Sequence, residues 1–537
     1  MTISTGLGFG CRTHCPLQHP LRHCVRKLRY SCAVAVQSVD EPESLVRENI
    51  PHDSDQSIDG GSEAPEWKKM SSTDLGISNS MIAKPTRMVL NGLKRKGFDA
   101  YLVGGCVRDL ILKRTPKDFD IITSAELKEA SISFCSNVLR TFSRSAIIGR
   151  RFPICHVHIE DKIVEVSSFS TRATKFHNGS SYGTPIGCDE KEYLRWRNCL
   201  QRDFTINGLM FDPFAKVVYD YLGGLADIRK AKVRTVVCAN VSFVEDCARI
   251  LRAIRIAARL GFRFTRETAQ SIKNLSYSVL KLDRGRILLE INYMLAYGSA
   301  EASLRLLWKF GLLEVLLPIQ AAYFVQQGFR RRDKRSNMLL SLFSNMDKLL
   351  APDRPCHSSL WVGILAFHKE LSDRPRDPLV VAAFGLAVHN GGDMLEALDI
   401  ARRITTQHET SFHELLQSQY LDSKTLKDEV LDLAASVKSI LTSMTDEYFV
   451  SQAMSMYSKA PYSDLVFIPL ELYLRACRIF ECVREGKEKG FIPKQGSKID
   501  YKLLAMGSLQ EVRHVFARIV FDTVYPLNLS RDHIPYN

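Results

Sequence analysis

The sequence of 537 residues contains no apolar run that approaches the ~20 residues needed to cross a bilayer. Its longest uninterrupted apolar run, 379–388, is half that length and predicts a buried helix. We therefore expect no membrane partner. The fourteen cysteines include no CxxC pair, which argues against a zinc site and favours reduced, mostly buried thiols.

Acidic residues are absent from the first 39 positions, which carry five arginines and lysines. The segment also lacks the apolar core of a secretory signal, so its composition indicates a transit peptide over 1–39, for a plastid rather than a mitochondrion. A disordered tail, and hence a cytoplasmic or nuclear protein, is the alternative. Residues 40–80 turn acidic and rich in serine and glycine, which predicts a disordered linker.

The net charge is +14, and the sequence beyond position 39 still carries about +9. Such a charge favours an anionic partner, of which nucleic acid is one. The apolar content of 45% and charged content of 25% are ordinary for a globular protein. A chain of this length is expected to form two to four domains.

The most informative segment is a predicted strand that ends in Gly104 and Gly105, followed by a short helix and a second strand. Alternate side chains of a strand share a face, so Asp118 and Asp120 are expected to point the same way. Two carboxylates this close repel each other unless a cation lies between them, and oxygen ligands suit Mg²⁺. The glycines allow backbone N–H groups to approach an anion, and Arg108 adds charge. The segment predicts a nucleotide-transfer site.

The order of strand, double glycine, VRD, short spacer and DxD resembles the opening motif of the class II nucleotidyltransferases, which include the tRNA CCA-adding enzymes and the bacterial poly(A) polymerases. The resemblance covers about 81–319, with the family's motifs in the expected order. It implies transfer of a nucleotide to RNA 3′ ends, with Mg²⁺ bound by Asp118 and Asp120. One metal would polarise the attacking 3′-hydroxyl and another would neutralise the triphosphate.

A hairpin predicted around Asp161 carries Glu165 on its second strand. The resemblance implies that Glu165 is the third catalytic carboxylate, whereas the alternative is a solvated strand residue. His156 and His158 share a face of the first strand and are interpreted as packing or surface residues.

The segment QRDFTIN, 201–207, places Arg202, Asp203 and Asn207 among apolar residues. Polar groups buried without partners cost free energy, so such a cluster is expected to bind a ligand or to brace a site. The resemblance implies that this motif lines the nucleotide and sugar pocket. Gln201 departs from the family, which has an arginine there.

The segment EDCARILRAIR, 245–255, is predicted to be helical, and on one helix Asp246 and Arg249 would share a face. The resemblance implies that this pair reads the Watson–Crick edge of the incoming base, in place of a nucleic acid template. Arg252 and Arg255 would then bind phosphate. Farther along, Arg286 and Glu290 are expected to form an intrahelical pair.

The segment IIGRRF, 147–152, closely matches a signature that separates bacterial poly(A) polymerases from their CCA-adding relatives. It implies addition of AMP from ATP to RNA 3′ ends, such as those of mRNA fragments. CCA addition to tRNA, which would also use CTP, is the alternative. A catalytically inactive RNA-binding protein of the same fold is a second alternative, because Gln201, Ser168 and Ser170 depart from the family's usual residues.

Strand and helix patterns alternate up to about position 220, and helical periodicity continues almost to the end. The sequence therefore predicts an α+β fold with a nucleotidyltransferase head domain over 81–220, built on a small mixed sheet. An extended all-helical region follows, divided into a nucleotide-recognition and RNA-binding domain, 221–325, and a C-terminal body, 326–537. The basic cluster 330–335 is predicted to lie in a loop, either solvated or in contact with RNA phosphates. No feature identifies a protein partner.

Overall fold

A mixed sheet of eight strands forms the N-terminal part of the described chain. The computed structural model describes residues 67–127, 142, 144–149, 153–169, 188–455 and 464–526. The strands are β1 Lys68–Ser71, β2 Ala100–Val103, β3 Asp120–Thr123, β4 Ser145–Ile148, β5 Ile154–Ile159, β6 Lys162–Ser168, β7 Leu209–Asp212 and β8 Val217–Asp220. Their order in the sheet is β1-β8-β7-β2-β3-β6-β5-β4. β3 and β6 are parallel, and the other neighbours are antiparallel.

Helices cover the sheet and then continue alone. The helices that accompany the sheet are α1 Lys84–Arg95, α2 Gly105–Ile111, α3 Glu190–Leu200 and α4 Gly224–Arg229. The helices that follow are α5 Ala239–Glu245, α6 Ala248–Leu260, α7 Arg266–Asn274, α8 Arg284–Leu295, α9 Ala300–Lys309, α10 Leu313–Leu316, α11 Pro318–Gln326, α12 Met338–Leu349, α13 Ser358–Asp373, α14 Pro378–His389, α15 Met394–Arg402, α16 Ser423–Thr445, α17 Glu447–Met454, α18 Leu470–Glu485, α19 Tyr501–Met506 and α20 Leu509–Val524. The predicted α+β class, a mixed sheet followed by helices, is confirmed.

Side chains at the helix starts explain several of these boundaries. Asp189 accepts a hydrogen bond from the backbone of the first turn of α3, and Asp283 does the same for α8. Pro85 lies in the first turn of α1, where its missing N–H is not needed. Alternation of apolar residues predicts the hairpin β5–β6, and the structure confirms it, with Glu160 and Asp161 at the turn.

The last part of the predicted linker 40–80 is wrong, because residues 68–71 form the edge strand β1. β1 pairs with β8, about 150 positions away in the sequence, and residues 79–81 form a turn of 3₁₀ helix. A short polar strand at a sheet edge has little apolar alternation, which is why the sequence pattern misses it. Positions 1–66 lie outside the described residues, so the transit peptide and the rest of the linker stay predictions.

All described residues belong to one compact unit, Glu63–Asn537. The domain boundaries predicted near 220 and 325 fall inside this unit and stay predictions. None of the helices in the described ranges is both long and apolar enough to cross a membrane. Ser170 and the last three residues of the segment IIGRRF lie outside the described residues.

Candidate active site

A cavity of about 510 Å³ is lined by residues from β3, α2, the 201–207 segment, α6 and α8. Its wall contains twelve of the thirteen predicted site residues, namely Gly104, Gly105, Arg108, Asp118, Asp120, Arg202, Asp203, Asn207, Asp246, Arg249, Arg252 and Arg255. Glu165 is the exception. Residues predicted from four separate segments therefore meet around one space.

The double glycine forms one side of this cavity. Gly104 has a φ of +77°, a backbone conformation that favours glycine. A Cβ atom there would lie 3.4 Å from Arg202 Nη1 and 3.6 Å from Asp120 Oδ2, so glycine keeps the space between those side chains open. The first N–H groups of α2, which follows at Gly105, have no intrahelical acceptor. These groups are available to an anion in the cavity.

Asp120 and Asp118 occupy different environments. Asp120 is the first residue of β3, and burial, together with the charges of Glu165 and Asp118, raises its pKa although Arg202 lies nearby. Asp118 precedes the strand, so the expectation that both aspartates lie within one strand is wrong. Its side chain is 70% exposed, and its Oδ2 lies 3.6 Å from Lys117 Nζ. The Asp120 carboxylate is enclosed, and the Asp118 carboxylate is open to solvent.

Glu165 lies next to Asp120 on the neighbouring strand but outside the cavity wall. The register of β3 and β6 pairs the two residues directly. The Glu165 side chain is 48% exposed, and its Oε1 lies 3.7 Å from His156 Nε2, so His156 contacts a predicted site residue. In the described part of the chain, no three His, Cys, Asp or Glu side chains are grouped closely enough to hold a metal ion. A metal at this site would depend on Asp118 and Asp120.

A buried chain of hydrogen bonds connects the 201–207 segment to α2. Asp203 Oδ1 accepts from Asn207 Nδ2 at 2.9 Å, and Asn207 Oδ1 accepts from Arg108 Nη1 at 2.5 Å. Arg108 also donates to Asp109 Oδ1, from Nε at 2.9 Å and from Nη2 at 2.7 Å. Buried polar groups in proteins are normally partnered in this way, and the network fixes their orientation.

Arginines of α6 join this network from the helical side. Arg252 Nε lies 2.6 Å from Asp203 Oδ2, and Arg259 Nη2 donates to Asp109 Oδ2 at 3.1 Å. Burial lowers the pKa of Arg259. The sequence interpretation missed Asp109 as a site residue, although the adjacent Arg108 marked its position.

Arg255 and Arg286 share one buried carboxylate. Arg255 Nε donates to Glu290 Oε2 at 3.1 Å, and Arg286 Nη2 lies 2.9 Å from Glu290 Oε1. The predicted intrahelical pair of Arg286 and Glu290 is thus confirmed. A guanidinium has five N–H donors, so one ion pair leaves others for a phosphate. The phosphate roles of Arg252 and Arg255 stay predictions.

Asp246 and Arg249 do not lie on one continuous helix, which corrects the sequence interpretation. α5 ends at Glu245, the backbone of the following Asp246 is extended (φ −145°, ψ 99°), and α6 begins at Ala248. Arg249 Nη1 lies 2.7 Å from Glu245 Oε2, whereas Arg249 Nε is 4.0 Å from Asp246 Oδ2. Arg249 therefore holds Asp246 less closely than it would on one continuous helix. Both residues line the cavity.

Two tyrosines and a lysine form a side of the cavity that sequence reasoning missed. The Lys117 ammonium lies 4.9 Å from the Tyr293 ring centroid and 5.1 Å from that of Tyr297. Tyr293 carried a signal, because residues 286, 290 and 293 recur on one face of α8, whereas Tyr297 lies two positions beyond the end of that helix. In total, eight cationic and five acidic side chains line the cavity. It can therefore hold a polyanion such as a triphosphate beside two carboxylates.

Known proteins resemble the chain over this region. A family model described as "Poly A polymerase head domain" matches residues 100–234. A second model, described as "Probable RNA and SrmB- binding site of polymerase A", matches residues 261–324. Both matches include elements that line the cavity or lie next to it.

The individual relatives include poly(A) polymerases and CCA-adding enzymes. Poly(A) polymerase I of Escherichia coli O6:H1 is 28% identical over 350 residues, which is 62% of this chain and 71% of the relative. The CCA-adding enzyme of Geobacillus stearothermophilus is 32% identical over 224 residues, 42% of this chain and 52% of the relative. A solved Bacillus stearothermophilus CCA-adding enzyme in complex with CTP is 21% identical and covers 74% of this chain and 83% of its own, with a TM-score of 0.39.

Proposed function

Because the chain belongs to the class II nucleotidyltransferase family, we propose that it adds AMP from ATP to RNA 3′ ends, with the activity of a bacterial-type poly(A) polymerase. It is an RNA nucleotidyltransferase, and the choice of AMP is the finer part of the proposal. The observation that carries this choice is the extent of similarity. Poly(A) polymerase I of Escherichia coli O6:H1 matches over 350 residues, whereas the CCA-adding enzyme of Geobacillus stearothermophilus matches over 224. The segment IIGRRF supports the same choice.

In this proposal the two ends of ATP would occupy separate parts of the cavity. Gly104, Gly105 and Arg108 would bind the triphosphate through backbone N–H groups and a guanidinium. Asp246 and Arg249 would contact the base edge, where an aspartate and an arginine can match the acceptors and donors of adenine. The 3′-hydroxyl oxygen of the RNA would bond to the α-phosphorus, and the bond to pyrophosphate would break on the opposite side.

The donor set of this site fits Mg²⁺ better than a cation that needs an all-protein cage. Mg²⁺ is usually bound through one or two carboxylates, with substrate phosphates and water as further ligands. Asp118 and Asp120 supply two carboxylates, and the described residues contain no larger ligand cluster. When bound, Mg²⁺ would polarise the attacking hydroxyl and neutralise charge on the phosphates. The raised pKa of Asp120 is consistent with a carboxylate placed where a cation is to bind.

The proposal is tested with the full chain, Mg²⁺ and two labelled RNAs, one unrelated to tRNA and one tRNA that lacks its terminal CCA. With ATP alone, we expect the unrelated RNA to grow into a ladder of products. An unextended RNA together with a tRNA that gains CCA in ATP and CTP would contradict poly(A) addition and establish the CCA alternative. If neither RNA is extended but both bind, the chain is the inactive RNA-binding protein of the second alternative.

A further inference from the structure

The two aspartates that would hold Mg²⁺ have different neighbours around the cavity. Asp120 lies beside the Gly104 backbone and is influenced by the charges of Arg202 and Arg252. Asp118 lies beside Lys117, and its charge reaches Tyr297. The site therefore has a glycine side, formed by Gly104, Gly105 and Arg202, and a tyrosine side, formed by Lys117, Tyr293 and Tyr297.

We propose that the tyrosine side binds the 3′-terminal nucleoside of the acceptor RNA, with its base stacked on Tyr293 or Tyr297. This inference rests on the proposed nucleotidyl transfer, and it adds the position of the second substrate. Its strongest support is the geometry of phosphoryl transfer, in which the attacking and leaving oxygens lie in line on opposite sides of the phosphorus. If pyrophosphate leaves on the glycine side, the RNA 3′-hydroxyl must approach from the side of Asp118.

The chemistry of the tyrosine side suits a nucleoside. Tyr293 and Tyr297 supply the aromatic rings of the cavity wall, with centroids 5.2 Å apart and planes tilted by 56°. Both side chains are only partly buried, and Pro352 adds a further apolar surface. Stacking of a base on an aromatic ring tolerates every base, as an acceptor site for varied RNA ends requires.

Two cations lie over these rings, and in this proposal they move to the phosphate of the terminal nucleotide and leave a ring face to its base. The Lys117 ammonium is within 5.1 Å of both ring centroids, and the Arg255 guanidinium carbon is 5.2 Å from the Tyr293 centroid. Lys117 is also the residue next to Asp118, so a phosphate held by this lysine would bring the terminal ribose close to the carboxylate.

The test compares two short RNAs that differ only in whether the 3′-terminal nucleotide carries a base. Binding of each RNA to the full-length protein is measured by fluorescence anisotropy without ATP, for the wild type, Tyr293→Leu and Tyr297→Leu. Tyr293→Phe and Tyr297→Phe are the matched controls, because phenylalanine keeps the stacking surface. Melting temperatures show which variants are folded.

We expect the wild type and the phenylalanine variants to bind the RNA with the terminal base on the order of ten-fold more tightly than the abasic RNA. At least one leucine variant should lose this preference, with an increased KM for RNA and an unchanged KM for ATP. The proposal is overturned if folded leucine variants keep the preference, if folded phenylalanine variants lose it, or if only the KM for ATP rises. The binding assay needs no turnover, so a failure of the proposed catalytic function would be seen separately.

Discussion

Arginines of the candidate active-site cavity differ from Arg376, a buried arginine of the C-terminal body, in how many carboxylates they bind. Arg252, Arg255 and Arg259 each pair with one carboxylate, and all three line the cavity. In the body, Arg376 pairs with three carboxylates, those of Glu370, Glu429 and Asp432. A guanidinium with three partners has few N–H donors left, whereas one with a single partner can still bind a phosphate. The comparison therefore distinguishes Arg376, whose donors are used within the fold, from the three cavity arginines, which keep donors for a phosphate.

Asp120 and Glu414 show a similar contrast between two carboxylates. Asp120 lies at the cavity, where burial and two acidic neighbours disfavour its charge. In the body, Glu414 is buried but accepts a hydrogen bond from the Tyr323 hydroxyl at 2.6 Å and lies 3.5 Å from His368 Nε2. A buried carboxylate that is poorly compensated in the fold is a candidate for function, and one that is fully compensated contributes to stability.

Asp120→Asn tests this comparison with the largest expected effect. We expect nucleotide addition to fall by at least ~10³-fold, because the amide cannot ligate the metal as a carboxylate does. The melting temperature should stay the same or rise, since the substitution removes a charge that burial disfavours. Both quantities are measured on the full chain, in the extension assay and by thermal unfolding.

Asp161→Asn is the matched control for Asp120→Asn. Asp161 is exposed at the turn between β5 and β6, on the same sheet but outside the cavity wall. It should leave both activity and melting temperature close to those of the wild type. A variant Asp120→Asn that unfolds several degrees earlier than this control would show that Asp120 stabilises the fold, and would contradict the distinction between the two regions.

Two buried carboxylates of the body should respond in opposite ways to conversion into amides. Burial raises the pKa of Asp464 to about 7, so the folded protein binds a proton there that the unfolded chain releases near pH 4. Stability is therefore lost as the pH rises from about 4 to 7, and Asp464→Asn should be more stable than the wild type at pH 8. Burial also acts to raise the pKa of Glu414, but His368 and Tyr323 hold that pKa below the usual value.

For Glu414 the dependence of stability on pH has the opposite sign. Its ionised form contributes stability above the unfolded pKa, and this contribution is lost as the pH falls through the lower folded pKa. Glu414→Gln should therefore destabilise the protein at pH 8, by roughly 1–3 kcal/mol. Thermal unfolding at pH 5 and pH 8 measures both effects, with the exposed Asp428→Asn as the control. Equal shifts of one sign for both variants would disprove the assignment, and activity at 25 °C should change in neither.

Local patterns in the sequence predict the elements that carry the site. The double glycine, α2, β3 and the hairpin β5–β6 depend on neighbouring residues, so alternation and glycine placement are sufficient to find them. The prediction that Asp118 and Asp120 share a strand fails because β3 begins at Asp120, two positions after Asp118. The exact start of a strand is hard to predict from a sequence pattern, and it decides which residues share a face.

Contacts between distant segments could not be predicted in this way. Arg259 meets Asp109 across 150 positions, and Lys117 meets tyrosines more than 170 positions away. Such pairs depend on how the helices after β8 pack against the sheet, which no local pattern encodes. The break between α5 and α6 at Asp246 could not be predicted either. A helix break without proline or glycine has no clear signature in the sequence.

Arg249 allows the finest test of the comparison, because it has features of an arginine that stabilises the fold and of one that binds a substrate. It pairs with Glu245 at 2.7 Å, as a stabilising arginine would, yet it also lines the cavity. If it reads the base, Arg249→Ala should reduce the preference for ATP over CTP by about ten-fold, measured as the ratio of their kcat/KM values. Glu245→Gln removes the ion pair but keeps the guanidinium, so it should leave this ratio nearly unchanged. An Arg249→Ala enzyme that loses the same factor with both nucleotides would instead place the arginine among the residues that hold phosphate or maintain the break between α5 and α6.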